Sequence, residues 1–202
     1  MRTLYRWLAS MLIATATVVQ CSIAAAATPP AAAGKVVESV GFVRVNHRPA
    51  GVGTVVHKGD TIETGPASRA IVSLADGSAI RITFSSQVVI AEMTPAASFL
   101  SLLSGGLLSF VHKGSRFKVR SPQAIAAVIG TVFYIESSKA KPNYACICEG
   151  TVELSSTSKG GLHRVITTRT HTAFLVEPRQ FGKSTLWGHT DEDIAGLRKY
   201  VH

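Results

Sequence analysis

The sequence predicts an all-β fold: a compact β-solenoid or β-sandwich of short strands, closed by one short C-terminal α-helix. Ten or so segments alternate apolar and polar residues with period two, at intervals of about ten residues, a pattern of sandwiches, barrels and solenoids. Glycine- and proline-containing turns punctuate them. Outside the N-terminal leader, helical periodicity is confined to the last residues of the chain.

Val36 to Val45 opens the series, followed by turns at Arg48-Pro49-Ala50-Gly51 and Lys58-Gly59-Asp60. Thr61–Thr64 stops at Gly65-Pro66, and Ala70–Leu74 runs into Asp76-Gly77, a strong hairpin signal. Ile80–Phe84, Phe117–Arg120, Val132–Ile135, Tyr144–Cys148, Val152–Leu154, Val165-Ile166 and Ala173–Val176 supply further strands. Ala96 to Val111 is apolar, but Gly105-Gly106 argues against a helix, since each glycine costs about 1 kcal/mol against alanine. Two strands joined at that pair are expected. Ala124–Ile129, bounded by Pro122 and Gly130, reads as a buried strand. In the terminal helix Thr190 is the cap and Asp193 closes a capping box. Asp191 and Glu192 suit its positive end, Arg198 and Lys199 its negative end, and Ile194, Leu197 and Val201 form an apolar stripe.

The N-terminus has the parts of a secretory signal: Arg2 and Arg6, an uncharged run from Trp7 to Val19, and the small-residue block Ala24–Ala27. Cleavage is expected after Ala27, the alternative being an uncleaved anchor. The expected organisation is a signal peptide over 1–27, a flexible leader over 28–35, a β domain over 36–180, and a C-terminal segment with the helix over 181–202. Losing Arg2 and Arg6 takes the net charge from +9 to +9 − 2 = +7. No mature stretch is long and apolar enough to span a bilayer as a helix. The mature chain is therefore expected in the periplasm or outside the cell, where disulfides are permitted.

At 46% hydrophobic and 16% charged, the chain is not a disordered charged tail. No Gly-x-Ser-x-Gly, His-Glu-x-x-His, phosphate loop or EF-hand loop occurs, so the expectation is a protein that is not an enzyme. The basic balance makes acidic partners possible without naming one. Arg116, Lys118 and Arg120 would share one face of a strand. That stripe reads either as a contact for an anionic glycan, lipid headgroups or an acidic partner, or as a solvated face that discourages edge pairing. Nucleic acid is not expected outside the cytoplasm.

From about Val36 to Leu154 the chain resembles the FecR domain. Lys58 to Gly65 resembles that family's Gly-Asp, hydrophobic, x, Thr-Gly element. Leu74-Ala75-Asp76-Gly77-Ser78 is similar to its Asp-Gly-Ser turn, Leu103 to Leu108 to its glycine-hydrophobic strand start, and Glu149-Gly150-Thr151-Val152 to its closing element. Ser121-Pro122-Gln123-Ala124 through Gly130-Thr131-Val132-Phe133 carries the most specific stretch. The resemblance implies an extracytoplasmic β module that senses or scaffolds. Signalling members have a cytoplasmic segment and a membrane span ahead of the domain; here an export signal stands in that place.

Cys146-Ile147-Cys148 is the most distinctive local feature. On a strand both thiols face one way, about 6.6 Å apart at Cα, at the outer limit of disulfide geometry. Three readings remain open: two small buried hydrophobes, a strained disulfide, or two metal thiolates. The mature chain also holds seven histidines, His47, His57, His112, His163, His171, His189 and His202. A subgroup of short exported chains of this type pairs such a Cys-x-Cys with a later His-Thr-Asp segment, to which Gly188-His189-Thr190-Asp191 is similar. His171 follows the cysteine strand, so Cys146, Cys148, His171 and His189 are the candidate ligands, for one zinc or iron ion. The function expected is an exported, non-enzymatic module that binds an envelope protein or ligand, an anionic one among the options. The alternative is a metal-binding or redox module built on the same domain, and no other cofactor is expected.

Overall fold

Fifteen strands and one helix make up the described part of the computed structural model, residues 30–138 and 140–202. In chain order the strands are β1 (Ala32–Val40), β2 (Val43–Val45), β3 (Arg48–Pro49), β4 (Val55–His57), β5 (Thr61–Thr64), β6 (Arg69–Leu74), β7 (Ala79–Ile82) and β8 (Gln87–Thr94). Then come β9 (Ala97–Phe110), β10 (Arg116–Arg120), β11 (Ala124–Ser137), β12 (Asn143–Ser156), β13 (His163–Thr168), β14 (Thr172–Val176) and β15 (Phe181–Lys183). Helix α1 spans Asp191–Arg198. The signal sequence expected over 1–27 lies outside the described residues.

Three strands of 14 residues, β9, β11 and β12, organise the molecule because each serves two layers. The first part of β9 pairs with β8 and, in parallel, with β10; its second part pairs with β7 and β11. β11 places Ala124–Ile129 between β10 and β12, and Val132–Ser137 between β9 and β12. β12 meets β14 through its first half and β13 through its second. One layer therefore runs β3-β2-β5-β8-β9-β10-β11-β12-β13, and the other β4-β1-β6-β7-β9-β11-β12-β14-β15. The sheet is not closed, and the two layers face each other across the main core. Phe117 of β10 meets Phe133 of β11 edge-on across it, with ring centroids 6.1 Å apart. Of the two expected architectures, this is the sandwich.

The bends fall at Gly105, Gly130 and Gly150, with φ of +83°, +57° and +101°. Left-handed backbone is open to glycine and costs other residues about 1–2 kcal/mol. At Gly105 and Gly150 space also excludes a side chain: a Cβ would strike the Ser86 hydroxyl at the first and the Thr131 hydroxyl at the second. Each bend inverts which residues face the core. In β11 the inward set is Ala124, Ala126 and Val128 before the bend but Phe133 and Ile135 after it. A register shift between Ile129 and Val132 accomplishes the inversion.

Several expectations need correction. Ala96 to Val111 is one bent strand, not two strands joined at the glycine pair. Ala124–Ile129 and Val132–Ile135 are likewise parts of one strand. The leader drawn over 28–35 is strand from Ala32 onward, because Ala33 is buried and β1 pairs with β4 and β6. Val36 to Val45 is divided at Gly41-Phe42, where Phe42 is exposed. Asp76 is more than a turn residue: its buried carboxylate accepts from Ser98 Oγ and Ser115 Oγ, both at 2.5 Å, and from the Ser78 N–H. The helix matches expectation, with Thr190 and Asp193 forming the capping box.

The outer faces of the layers differ. The outer face of the second layer carries another apolar cluster, including Ile71, Leu108, Val132, Tyr134, Tyr144, Cys146 and Cys148. The C-terminal segment lies across it like a strap. Trp187 stacks on Tyr144 at 4.4 Å, Leu197 is fully buried, and Ile194, Tyr200 and Val201 pack against the cluster. Arg81 pairs with Asp193, and the His202 N–H donates to Gly77 O at 3.1 Å.

Candidate metal centre

β12 presents Cys146 and Cys148 on its outer face, while Ala145 and Ile147 point into the main core. Both thiols are free and buried. β14 lies antiparallel beside β12 with Thr172 opposite Ile147, which places His171, one residue earlier, next to the cysteines. His189 arrives from the strap immediately before the Thr190 cap, its ring 5.0 Å from that of Tyr134. Gly188 fits tightly against the Tyr134 ring, where a Cβ would lie 2.5 Å from Cε1. The chain therefore brings all four expected ligands together, one atom from each lying within 4.8 Å of every other.

Four of the contacts in this cluster lie within about 0.5 Å of the edges of a tetrahedron around a metal. Metal–sulfur bonds of about 2.3 Å and metal–nitrogen bonds of about 2.05 Å give tetrahedral edges of about 3.8 Å for S–S, 3.6 Å for S–N and 3.3 Å for N–N. The cluster has 4.0 Å between the two Sγ atoms, 3.5 Å from Cys146 Sγ to His171 Nδ1, 3.1 Å from Cys148 Sγ to His189 Nε2, and 3.3 Å between the two ring nitrogens. His171 turns its other nitrogen, Nε2, to Asp191 Oδ1 at 2.9 Å. That carboxylate–imidazole pair fixes the ring and leaves Nδ1 free to bind, the outer-shell arrangement of metal-ligating histidines. His189 Nδ1 is buried with no partner among the described residues, so its Nε2 is the nitrogen with a role. In the sequence Asp191 reads as a helix-dipole residue and as the end of the His-Thr-Asp segment. Its bond to His171, like the aromatic floor of Tyr134 and Tyr144, depends on which strands become neighbours.

Electrostatics favour a cation here. The Cys146 thiol is pulled down to about 4, first by the hydrogen bond from the Cys148 thiol, against the cost of burial, with His189 and His171 assisting. The Cys148 thiol is held up by that same neighbour and by burial. For His171, burial opposes the charged form, but Cys146 and Asp191 outweigh it and raise its pKa. The site thus accommodates one thiolate readily and resists a second, and a divalent cation would supply the charge that lets both ionise. A groove of about 500 Å³, lined by Cys148, His171, Asp191, Arg169 and Arg198 among others, gives access. Four protein ligands would complete the shell of a tetrahedral ion, the ligand number of structural centres.

A β-sandwich with a strap over one outer face and two thiols and two imidazoles beneath it is the class that fold and site define. Residues 60–153 match the family model described as FecR protein, the family that the sequence resembles. The match includes both cysteines and neither histidine. A search of curated proteins found no match. Among solved structures, two crystal structures of a "putative anti-sigma factor" from Parabacteroides distasonis are similar, each with a TM-score of 0.51 and 17% identity. Each match covers 61% of this chain and 58% of that one, so the chain spans less than two-thirds of its neighbour's length. At that identity the likeness shows the fold alone.

Proposed function

We propose that the protein is an exported, non-enzymatic FecR-domain module that binds a partner at the cell envelope, with its C-terminal strap fastened by one Zn²⁺ held by Cys146, Cys148, His171 and His189. The observation that carries the metal reading is the convergence of four ligand atoms, drawn from three separate stretches of chain, to within 4.8 Å of one another. Zinc suits two sulfurs and two nitrogens in a closed tetrahedron; iron is the other metal of that donor set. The metal's task is to join the strap to the sheet, since α1 buries only Leu197 completely.

The test is elemental analysis of the purified full chain, with Co²⁺ reconstitution and absorption spectroscopy. About one zinc per chain is expected, with a sulfur-to-cobalt charge-transfer band in the substituted protein; both vanish in Cys146→Ser/Cys148→Ser and weaken in His189→Ala. Protein that is metal-free as purified and takes up neither ion would refute the centre. Iron in place of zinc would reassign the metal and keep the site. Export is tested by intact mass: a product retaining Arg2 and Arg6 and pelleting with membranes would overturn cleavage after Ala27.

A further inference from the structure

One outer face of the sandwich is sealed by the strap; the opposite one is open. Its central feature is the row Arg116, Lys118 and Arg120 along β10, all three exposed. This row does not protect a sheet edge, because β10 is an interior strand between β9 and β11. Nor is it neutralised: none of the three has a carboxylate within salt-bridge distance among the described residues. Three like charges stand in line at intervals of about 6.6 Å, two residues of strand.

Apolar side chains flank the row on both sides. Phe99 of β9 lies opposite Lys118, and Ile129 of β11, 73% exposed, lies opposite Arg116. Beyond them stand carboxylates, with Glu92 opposite Phe99 and Glu153 opposite Ala127. These acids already have partners, Glu92 with Lys58 at 4.0 Å and Glu153 with His163 at 2.9 Å. The whole forms a concave surface of about 870 Å³.

We infer that this groove binds an extended acidic segment of a protein partner, with carboxylates at alternate positions. This rests on reading the chain as a partner-binding module; it does not rest on the metal. An extended peptide repeats its side chains every two residues, at the interval of the cations, so three carboxylates on one side can meet Arg116, Lys118 and Arg120 in register. The apolar flanks suit the methylenes of such a chain. The acidic rims select a narrow line of negative charge: a flat anionic membrane wide enough to meet the row would also meet Glu92 and Glu153.

The test measures binding of an octapeptide of alternating glutamate and threonine to the intact protein as purified, by calorimetry at two salt concentrations. A peptide of the same composition with its four glutamates contiguous is the control. The alternating peptide is expected to bind several-fold more tightly than the control, and more weakly at higher salt. Lys118→Ala should weaken it about threefold and Lys118→Glu tenfold or more, as loss and reversal of one exposed charge contact imply. Ile129→Ser should weaken it while leaving the salt dependence unchanged. All three variants should retain their zinc, and Cys146→Ser/Cys148→Ser should retain peptide binding, so failure here and failure of the metal centre are separable. Equal binding of both peptides, no binding, or tighter binding to polygalacturonate or phosphatidylglycerol vesicles would each overturn the inference.

Discussion

Stripping the metal from the folded protein gives the most quantitative test of the strap. If free zinc stands at 100 times its dissociation constant, a ligand bound only by the native state contributes about 2.7 kcal/mol. The mature chain expected from cleavage has 202 − 27 = 175 residues. At about 2.1 cal/mol/K per residue its unfolding entropy is about 0.37 kcal/mol/K, so chelation should lower Tm by about 7 °C. Each further tenfold of saturation adds about 1.4 kcal/mol, or about 4 °C. The assay is thermal unfolding followed by circular dichroism, with and without a strong chelator, on the wild type and on Cys146→Ser/Cys148→Ser. Trp187 stacks on Tyr144, so its fluorescence reports locally on the strap. The wild type should lose stability on chelation and show a Trp187 change before the β signal melts; the double variant should start lower and respond to neither chelator nor added zinc. The same Tm shift in both proteins would mean that the chelator acts elsewhere. An unchanged wild-type Tm would show that α1 and the aromatic contacts hold the strap unaided.

Four further outcomes follow from the same geometry. Asp191→Asn should weaken zinc binding by about 10–100-fold, as loss of an outer-shell carboxylate does, measurable by competition with a chromogenic chelator. Gly150→Ala should destabilise more than Gly130→Ala in denaturant titrations: both have positive φ, but at 150 the new Cβ strikes Thr131, whereas at 130 its nearest neighbour is Lys113 Cγ at 3.4 Å. The strain at 130 alone should cost about 1–2 kcal/mol. Asp76→Ala strands the buried Ser98 and Ser115 hydroxyls and should cost about 3 kcal/mol by the same titration. Burial raises the pKa of Tyr134 and, with it, that of Tyr144, so both favour their neutral forms in the folded state. The associated stability is intact below the unfolded value of about 10 and declines as pH rises from there toward the folded values; Tm measured from pH 9 upward should fall less steeply in Tyr134→Phe.

What the sequence made legible was the set of local devices. The Asp76-Gly77 turn, the Thr190–Asp193 capping box and the alternating segments each declare themselves within a few residues. The cysteine–histidine cluster was nameable too, because Cys-x-Cys places both sulfurs on one strand face, His171 follows that strand, and Gly188-His189-Thr190-Asp191 is similar to the segment paired with such cysteines in a subgroup of short exported chains. The continuity of the long strands was hidden. A glycine pair and an inverted alternation look like the end of one strand and the start of the next, and at Gly105 and Gly130 they mark a bend within a single strand. Position in the sheet was hidden for the same reason. Arg116, Lys118 and Arg120 read either as a contact stripe or as a solvated face that discourages edge pairing until β9 and β11 are seen on either side of them, and Tyr134 and Tyr144 become the floor of the site only once β11 and β12 pair.

The proposed metal site straddles the boundary of the family-matched segment: its sulfurs lie inside residues 60–153 and its imidazoles beyond them. A fragment cut at that boundary would keep the strand bearing both thiols while losing β14, the strap and every nitrogen ligand. It would display bare vicinal cysteines and an uncovered aromatic surface. Expression trials that trim this chain to its recognisable segment would therefore make a sticky, oxidisable product, and its misbehaviour would be the fault of the scissors. The unit to clone runs through His202.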